Sequence, residues 1–254
     1  MIFGLEFPPV ENLIEWPAYF GEGTIFEFNK IALINIISVI VPVAIFLVAS
    51  RSRQMVPKGT QNVAEMSVDF IRSQVIAPTI GHGGEVFLPL LMSLFWFIFL
   101  GNLFEIIPTF HMPANARMAN PLILALLVFF VFIGVGIKHQ GLAYFKNAVV
   151  VPGVPAALLV LVIPIEFLST FIIRPFSHAV RLFANMLAGH ILLVTFGVLC
   201  ITLWTASALV LALPFAFGML VGLTGFELMV AFLQAYIFTI LAGVYIGGAM
   251  HPEH

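Results

Sequence analysis

The sequence predicts an all-α integral membrane protein, with about five membrane-embedded helices and one amphipathic helix at the interface. Three observations carry this prediction. Of the 254 residues, 61% are hydrophobic and only 9% charged, whereas a soluble domain needs roughly 25% charged residues to cover its surface. Mean hydropathy is +1.13. The apolar runs are continuous rather than alternating, and far longer than a barrel strand of ~10 residues. Strands are therefore excluded, and a single membrane domain over 1–254 is expected.

The start is acidic (Glu6, Glu11, Glu15, Glu22, Glu27), and no basic residue precedes Lys30. A secretory signal has a cationic start, so 1–30 reads as an external amino-terminal segment. A hydrocarbon core about 30 Å thick takes ~20 apolar residues of helix. Residues 31–50 supply the first run, closed by Arg51, Arg53 and Lys58. Residues 59–77 differ: Val63, Met66, Phe70 and Ile71 fall on one side of a helix, and Glu65, Asp69 and Arg72 on another. That amphipathicity at modest hydrophobicity suits a helix lying in the interface.

Residues 86–107, stopped by Pro108, and 120–138, closed by Lys138, form a helical hairpin. From 152 to 250 the turn signals are sparse: Pro152-Gly153, Pro164, Pro175 and a weak break at Thr202 to Ser207. That stretch has room for four crossings, and the positive-inside rule chooses fewer. With the amino terminus outside and 154–173 not a separate crossing, seven Lys and Arg fall inside (Arg51, Arg53, Lys58, Arg72, Lys138, Lys146, Arg174) and two outside (Lys30, Arg117). A full crossing at 154–173 would reduce the bias. We therefore expect five crossings with the carboxyl terminus inside.

Several function classes are excluded. A net charge of −2 provides no basic patch for nucleic acid. Cys200 is the single cysteine, so neither an intramolecular disulfide nor a cysteine cluster can form. No Gly-x-x-x-x-Gly-Lys-Ser/Thr loop occurs, so no P-loop holds a nucleotide. No cofactor is expected.

Residues 152–250 hold four charged side chains, Glu166, Arg174, Arg181 and Glu227. A charge at the bilayer centre costs about 2.5–3.5 kcal/mol on insertion scales, so it marks a functional candidate. Arginine cannot escape by losing its proton. Arg174 also reads as a snorkelling interfacial anchor; Arg181, about 10 Å further along a helix, does not. On its face lie Ala184, Asn185 and Ala188 going forward, and His178, Ser177 and Arg174 going back. This stripe of small and polar residues would admit another helix closely, one carrying a carboxylate.

In the last helix Glu227 and Gln234 lie nearly on one face. An antiparallel hairpin would set Gln234 level with Arg181, and Glu227 level with His190. Arg181 and His190 then point to opposite sides. An intramembrane His–Glu pair suits a proton relay, although His190 alone also reads as a buried, backbone-bonded histidine. Asn102 and Glu105 could extend a polar path outward and Glu166 inward; each carboxylate reads equally as a helix-end group. At this point three classes stay open: a proton-conducting partner of a moving carboxylate, a proton-coupled secondary transporter, and a haem- or quinone-binding subunit. No internal repeat of the transporter kind is present. His178 and His190 lie about 120° apart around one helix, too far to serve one haem together.

Residues 181–190, RLFANMLAGH, with Arg174-Pro175 before them and Leu233-Gln234-Ala235-Tyr236-Ile237-Phe238 after, resemble the a subunit of the rotary F-type ATP synthase, with wording similar to its alphaproteobacterial and mitochondrial branch. Val56-Pro57, Asn102-Leu103 and the histidine-bearing terminus after Met250 extend the match over nearly the whole chain. The resemblance implies two long tilted helices, over 154–200 and 205–250, against a ring of c subunits. It also implies b or b′ stalk subunits and the remaining synthase as partners. The setting would be a bacterial inner membrane, or alternatively a mitochondrial one. By resemblance, Arg181 faces the rotor carboxylate, Asn185 and Gln234 flank it, and His190 with Glu227 belongs to the outer proton half-channel. Glu105 matches the outer mouth and Glu166 the inner route; Asn102, Ser177 and His178 are further candidate channel-lining residues. One departure is plain: many members carry an acidic residue just before the Asn120 position, where this chain has Met118-Ala119.

Overall fold

The computed structural model describes residues 19–21, 28–51, 54–107, 110, 112–150, 155–205 and 210–250. The acidic residues Glu6 to Glu27, Arg53, Pro108, Pro152-Gly153 and Ser207 lie outside the described residues.

Helix α1 (Lys30–Arg51) begins where the Asn29 side chain accepts the Ala32 backbone N–H at 3.0 Å, satisfying one of the free donors of a first turn. Helix α2 (Thr60–Ile71) continues through a π-turn (Arg72–Ile76) into Ala77–Thr79. Its expected apolar side divides. Ile71 is fully buried, while Val63 and Met66 are exposed. The protein core is therefore met by Ala64, Ile71 and Val75, and the outer apolar residues are left for another phase or partner.

Helix α3 (Leu88–Leu103) ends before the expected Pro108. The chain tightens into turns there, with Glu105 N–H donating to Asn102 O at 3.0 Å and Ile106 N–H to Leu103 O at 3.1 Å. That early stop turns Glu105 inward. Helix α4 (Ala119–Gln140) stops at Gly141, whose φ of 62° reverses the chain into the short helix α5 (Ala143–Asn147). The Tyr144 ring then lies where any side chain at Gly136 would sit.

Helix α6 (Ala156–Leu168) passes through a second π-turn (Ser169–Ile173) into α7 (Arg174–Thr205), so residues 156–173 run on into α7 without a break. Helix α8 (Leu213–Met250) returns. Among the described residues, five helices are long and apolar enough to cross a membrane, including Leu158–Trp204 with 47 residues and Val210–Met250 with 41. At 1.5 Å per residue these reach about 70 and 60 Å, roughly twice the hydrocarbon thickness. Neither can stand upright within it.

Helix α8 is the centre of packing, touching α3, α4, α7 and the end of α2. Small residues allow this: a side chain at Gly243 would meet the Thr79 side chain, and one at Gly247 the Thr79 backbone. Phe70, Phe95 and Phe99 pack with the exposed ring of Phe232, with ring centroids 5.6–6.1 Å apart.

Candidate functional site

Helix α7 has two unlike sides. Ala179, Leu182 and Met186 are buried, and they fix its rotation against the rest of the chain. Arg174, Ser177, Arg181, Ala184, Asn185 and Ala188 are all exposed. The small and polar stripe therefore looks away from the protein. Among the described residues, no hydrogen bond or ion pair takes up the Arg181 guanidinium.

His178 departs from the expected stripe. It is 3% exposed, with its ring centroid 3.8 Å from Phe238 and 5.7 Å from Tyr245. At about 100° per residue, Ser177 and Arg174 fall within ~40° of Arg181, whereas His178 falls ~60° away, toward α8. That difference carries it over the edge into the core.

Helices α7 and α8 pack antiparallel. His178 meets Phe238, and a side chain at Gly189 would collide with the Glu227 carboxyl group. The intervals from His178 to Gly189 and from Glu227 to Phe238 are equal, so a single register joins both contacts. It sets Gln234 level with Arg181 and Leu182, and Glu227 level with His190, as the spacing predicts. Gln234 is nonetheless buried while Arg181 is exposed, and no hydrogen bond among the described residues links them.

Two and a half turns of α7 separate Arg181 from His190, which therefore points to the opposite side and is buried. There the structure assembles a polar cluster inside an apolar bundle. His190 Nδ1 stands 4.0 Å from Glu105 Oε1, both side chains being almost fully enclosed. Glu227 is 4% exposed and near enough to Glu105 for their charges to interact. Glu105 thus neighbours both His190 and Glu227.

Two residues that the sequence reasoning missed complete the cluster. Asn115 lies in a buried 3-10 turn (Ala114–Ala116) that packs on α7, and its Nδ2 donates to Asn102 Oδ1 at 2.7 Å. Ser38 of α1 is 1% exposed and borders the same space at Gly101. Nearby, Asn35 and Asn120 exchange two hydrogen bonds of 2.9 and 3.3 Å, and Asn120 also donates to Ala114 O at 3.1 Å. The signal was there: amides and a hydroxyl within otherwise apolar segments. Glu166, half-buried on α6, joins neither this cluster nor Arg181.

The site thus pairs an outward-facing fixed cation with an enclosed chain of titratable and amide groups on the opposite side of one helix. Comparison with known proteins bears on the chain as a whole. The family model described as ATP synthase A chain matches residues 31–247. This chain belongs to that family. It is 43% identical to ATP synthase subunit a of Rhodococcus erythropolis over 90% of this chain and 84% of the relative. It is 40% identical to the subunit a of Frankia alni, over 97% and 87%. The subunit a of Rhodopseudomonas palustris is also 40% identical, over 92% and 90%. Identity is similar across these relatives, so the comparisons do not single out the branch suggested by the RLFANMLAGH wording. The family membership makes this chain the stator a subunit of an F-type ATP synthase, and the secondary-transporter reading is not favoured.

Proposed function

We propose that this subunit carries protons to and from a rotor ring of c subunits through two half-channels that do not connect. The observation that carries the reading is Arg181: exposed on a stripe of small residues, with no partner for its charge among the described residues of its own chain. A bare charge in lipid is costly, so a rotor carboxylate must be protonated while it faces oil. Passing Arg181, that carboxylate is favoured in its ionised form by the fixed positive charge. The proton leaves to the inner side before the passage, and another arrives from the outer side afterwards. The same guanidinium repels a proton crossing straight through. Each proton contributes ~2.3 kcal/mol per 100 mV of membrane potential.

Asn185 and Gln234 set the polar surroundings of the arginine. His190, Glu227 and Glu105, with Asn102, form the outer half-channel, and Glu166 and Ser177 serve the inner route. With Val63 and Met66 exposed, we read α2 as the helix lying in the interface, and we count the b or b′ stalk subunits among the partners. Nucleotide chemistry belongs to partner subunits, and the location is the bacterial inner membrane with the amino terminus outside.

Replacing Arg181 tests the reading. In inverted membrane vesicles, Arg181→Ala should abolish proton-driven ATP synthesis while the complex still assembles. Arg181→Lys should fail as well, because a buried lysine is a flexible point charge able to deprotonate. Normal synthesis in the alanine variant would overturn the proposal.

A further inference from the structure

We infer that Asn115 is a positioning residue for proton intake, holding the Asn102 amide so that a wetted polar chain leads from α1 to the Glu105–His190–Glu227 cluster. The inference rests on the outer half-channel proposed above.

The turn that carries Asn115 is not an ordinary external loop. Ala114, Asn115 and Ala116 are each at most 1% exposed, and the turn is wedged among α1, α3, α4 and α7. Placing an amide in such a position is expensive unless its donors and acceptors are used. Only half of them are. Asn115 Nδ2 donates to Asn102 Oδ1 at 2.7 Å, yet Asn115 Oδ1 and Asn102 Nδ2 are buried without a hydrogen-bond partner. Ser38 Oγ and Glu227 Oε2, two further polar atoms of the cluster, are in the same condition.

Four enclosed polar atoms with unused capacity, carried on α1, α3, the Asn115 turn and α8, are what a buried water chain requires, since such waters typically make about three hydrogen bonds each. The bond between the two amides uses one N–H of Asn115 and one lone pair of Asn102, so Asn115 Oδ1 is left to accept and Asn102 Nδ2 to donate, beside the second N–H and second lone pair of the bonded atoms. Water bonded at both ends is oriented, and a proton passes along it to the titratable groups. Neutral amides suit this task because they order water without retaining the proton. Gly101 keeps the way open: a side chain there would come within 3.3 Å of Asn115 Nδ2 and 3.9 Å of Ser38 Oγ.

The test uses two variants of nearly equal volume, Asn115→Thr and Asn115→Val, which differ in a hydroxyl against a methyl. Passive proton flow is measured through the whole membrane sector in vesicles stripped of their nucleotide-binding part, normalised to the amount of assembled subunit. Asn115→Thr should keep at least about half the flow, and Asn115→Val should lose about tenfold, the rate equivalent of one lost hydrogen bond. Equal loss in both would make Asn115 a packing residue and overturn the inference, as would equal retention. Glu227→Gln in the same vesicles separates the two levels of argument. If it blocks flow while the Asn115 pair behaves alike, only the role of Asn115 fails; if it conducts normally, the half-channel itself fails.

Discussion

His190 Nδ1 lies 4.0 Å from Glu105 Oε1, although one residue belongs to a long membrane helix and the other to a turn just beyond the end of α3. The two are joined only because α3 stops early and the turn after it folds inward. Glu227 approaches the same place from α8 through the gap left by Gly189. Three separate parts of the chain thus deliver ionisable groups to one enclosed volume.

If these groups act in series, Glu105→Gln and His190→Gln should each lower passive proton flow by about tenfold or more. The double variant should be little worse than either single one, because residues of one network are not additive. Flow measured in stripped vesicles at fixed membrane potential decides this. Fully multiplicative losses would show that the two residues act independently and not as one network.

Gly189 is the next point of strain on substitution. A methyl group there would occupy the space of the Glu227 carboxyl group, and overpacking of this kind costs about 1–3 kcal/mol. Gly189→Ala should therefore lower the thermal stability of the purified complex and reduce proton flow together. Smaller effects than those of Gly197→Ala, where no atom lies within 4 Å, would contradict the close approach.

The amide pair between Asn35 and Asn120 ties α1 to α4. Asn120→Leu alone leaves Asn35 with an unmet partner and should cost about 1–3 kcal/mol. Replacing both by leucine should recover much of that loss, since removing both partners is often nearly neutral. Denaturation of the single and double variants in detergent provides the comparison, and a double variant worse than the sum of its parts would rule out the pairing as described.

Much of this was legible in the sequence. Continuous apolar runs set the helices, and the Lys and Arg bias pointed to five crossings, in keeping with the five described helices that are long and apolar enough to cross. The spacing of Arg181 and His190 foretold that one would face outward and the other inward. What failed were details decided by a few tens of degrees or by a turn. His178 shares the Arg181 stripe by simple spacing, yet the rotation set by Leu182 and Met186 places it against Phe238. Ile71 likewise parts from its apolar companions, being buried while Val63 and Met66 are exposed. Asn115 escaped notice because loop asparagines ordinarily face water, and no periodic pattern signals a turn that dives into the bundle.

The π-turn at Ser169–Ile173 inserts one residue more than an α-helical ladder would hold. Its geometry acts as a phase adjuster, since each residue advances a helix by about 100°. Everything amino-terminal to it, Glu166 included, is thereby clocked to a different azimuth from everything beyond. Removing a single residue there would leave the Arg181 surface untouched while swinging the Glu166 arm by more than a quarter of a revolution, so the alignment of Glu166 with that surface is written in one surplus residue.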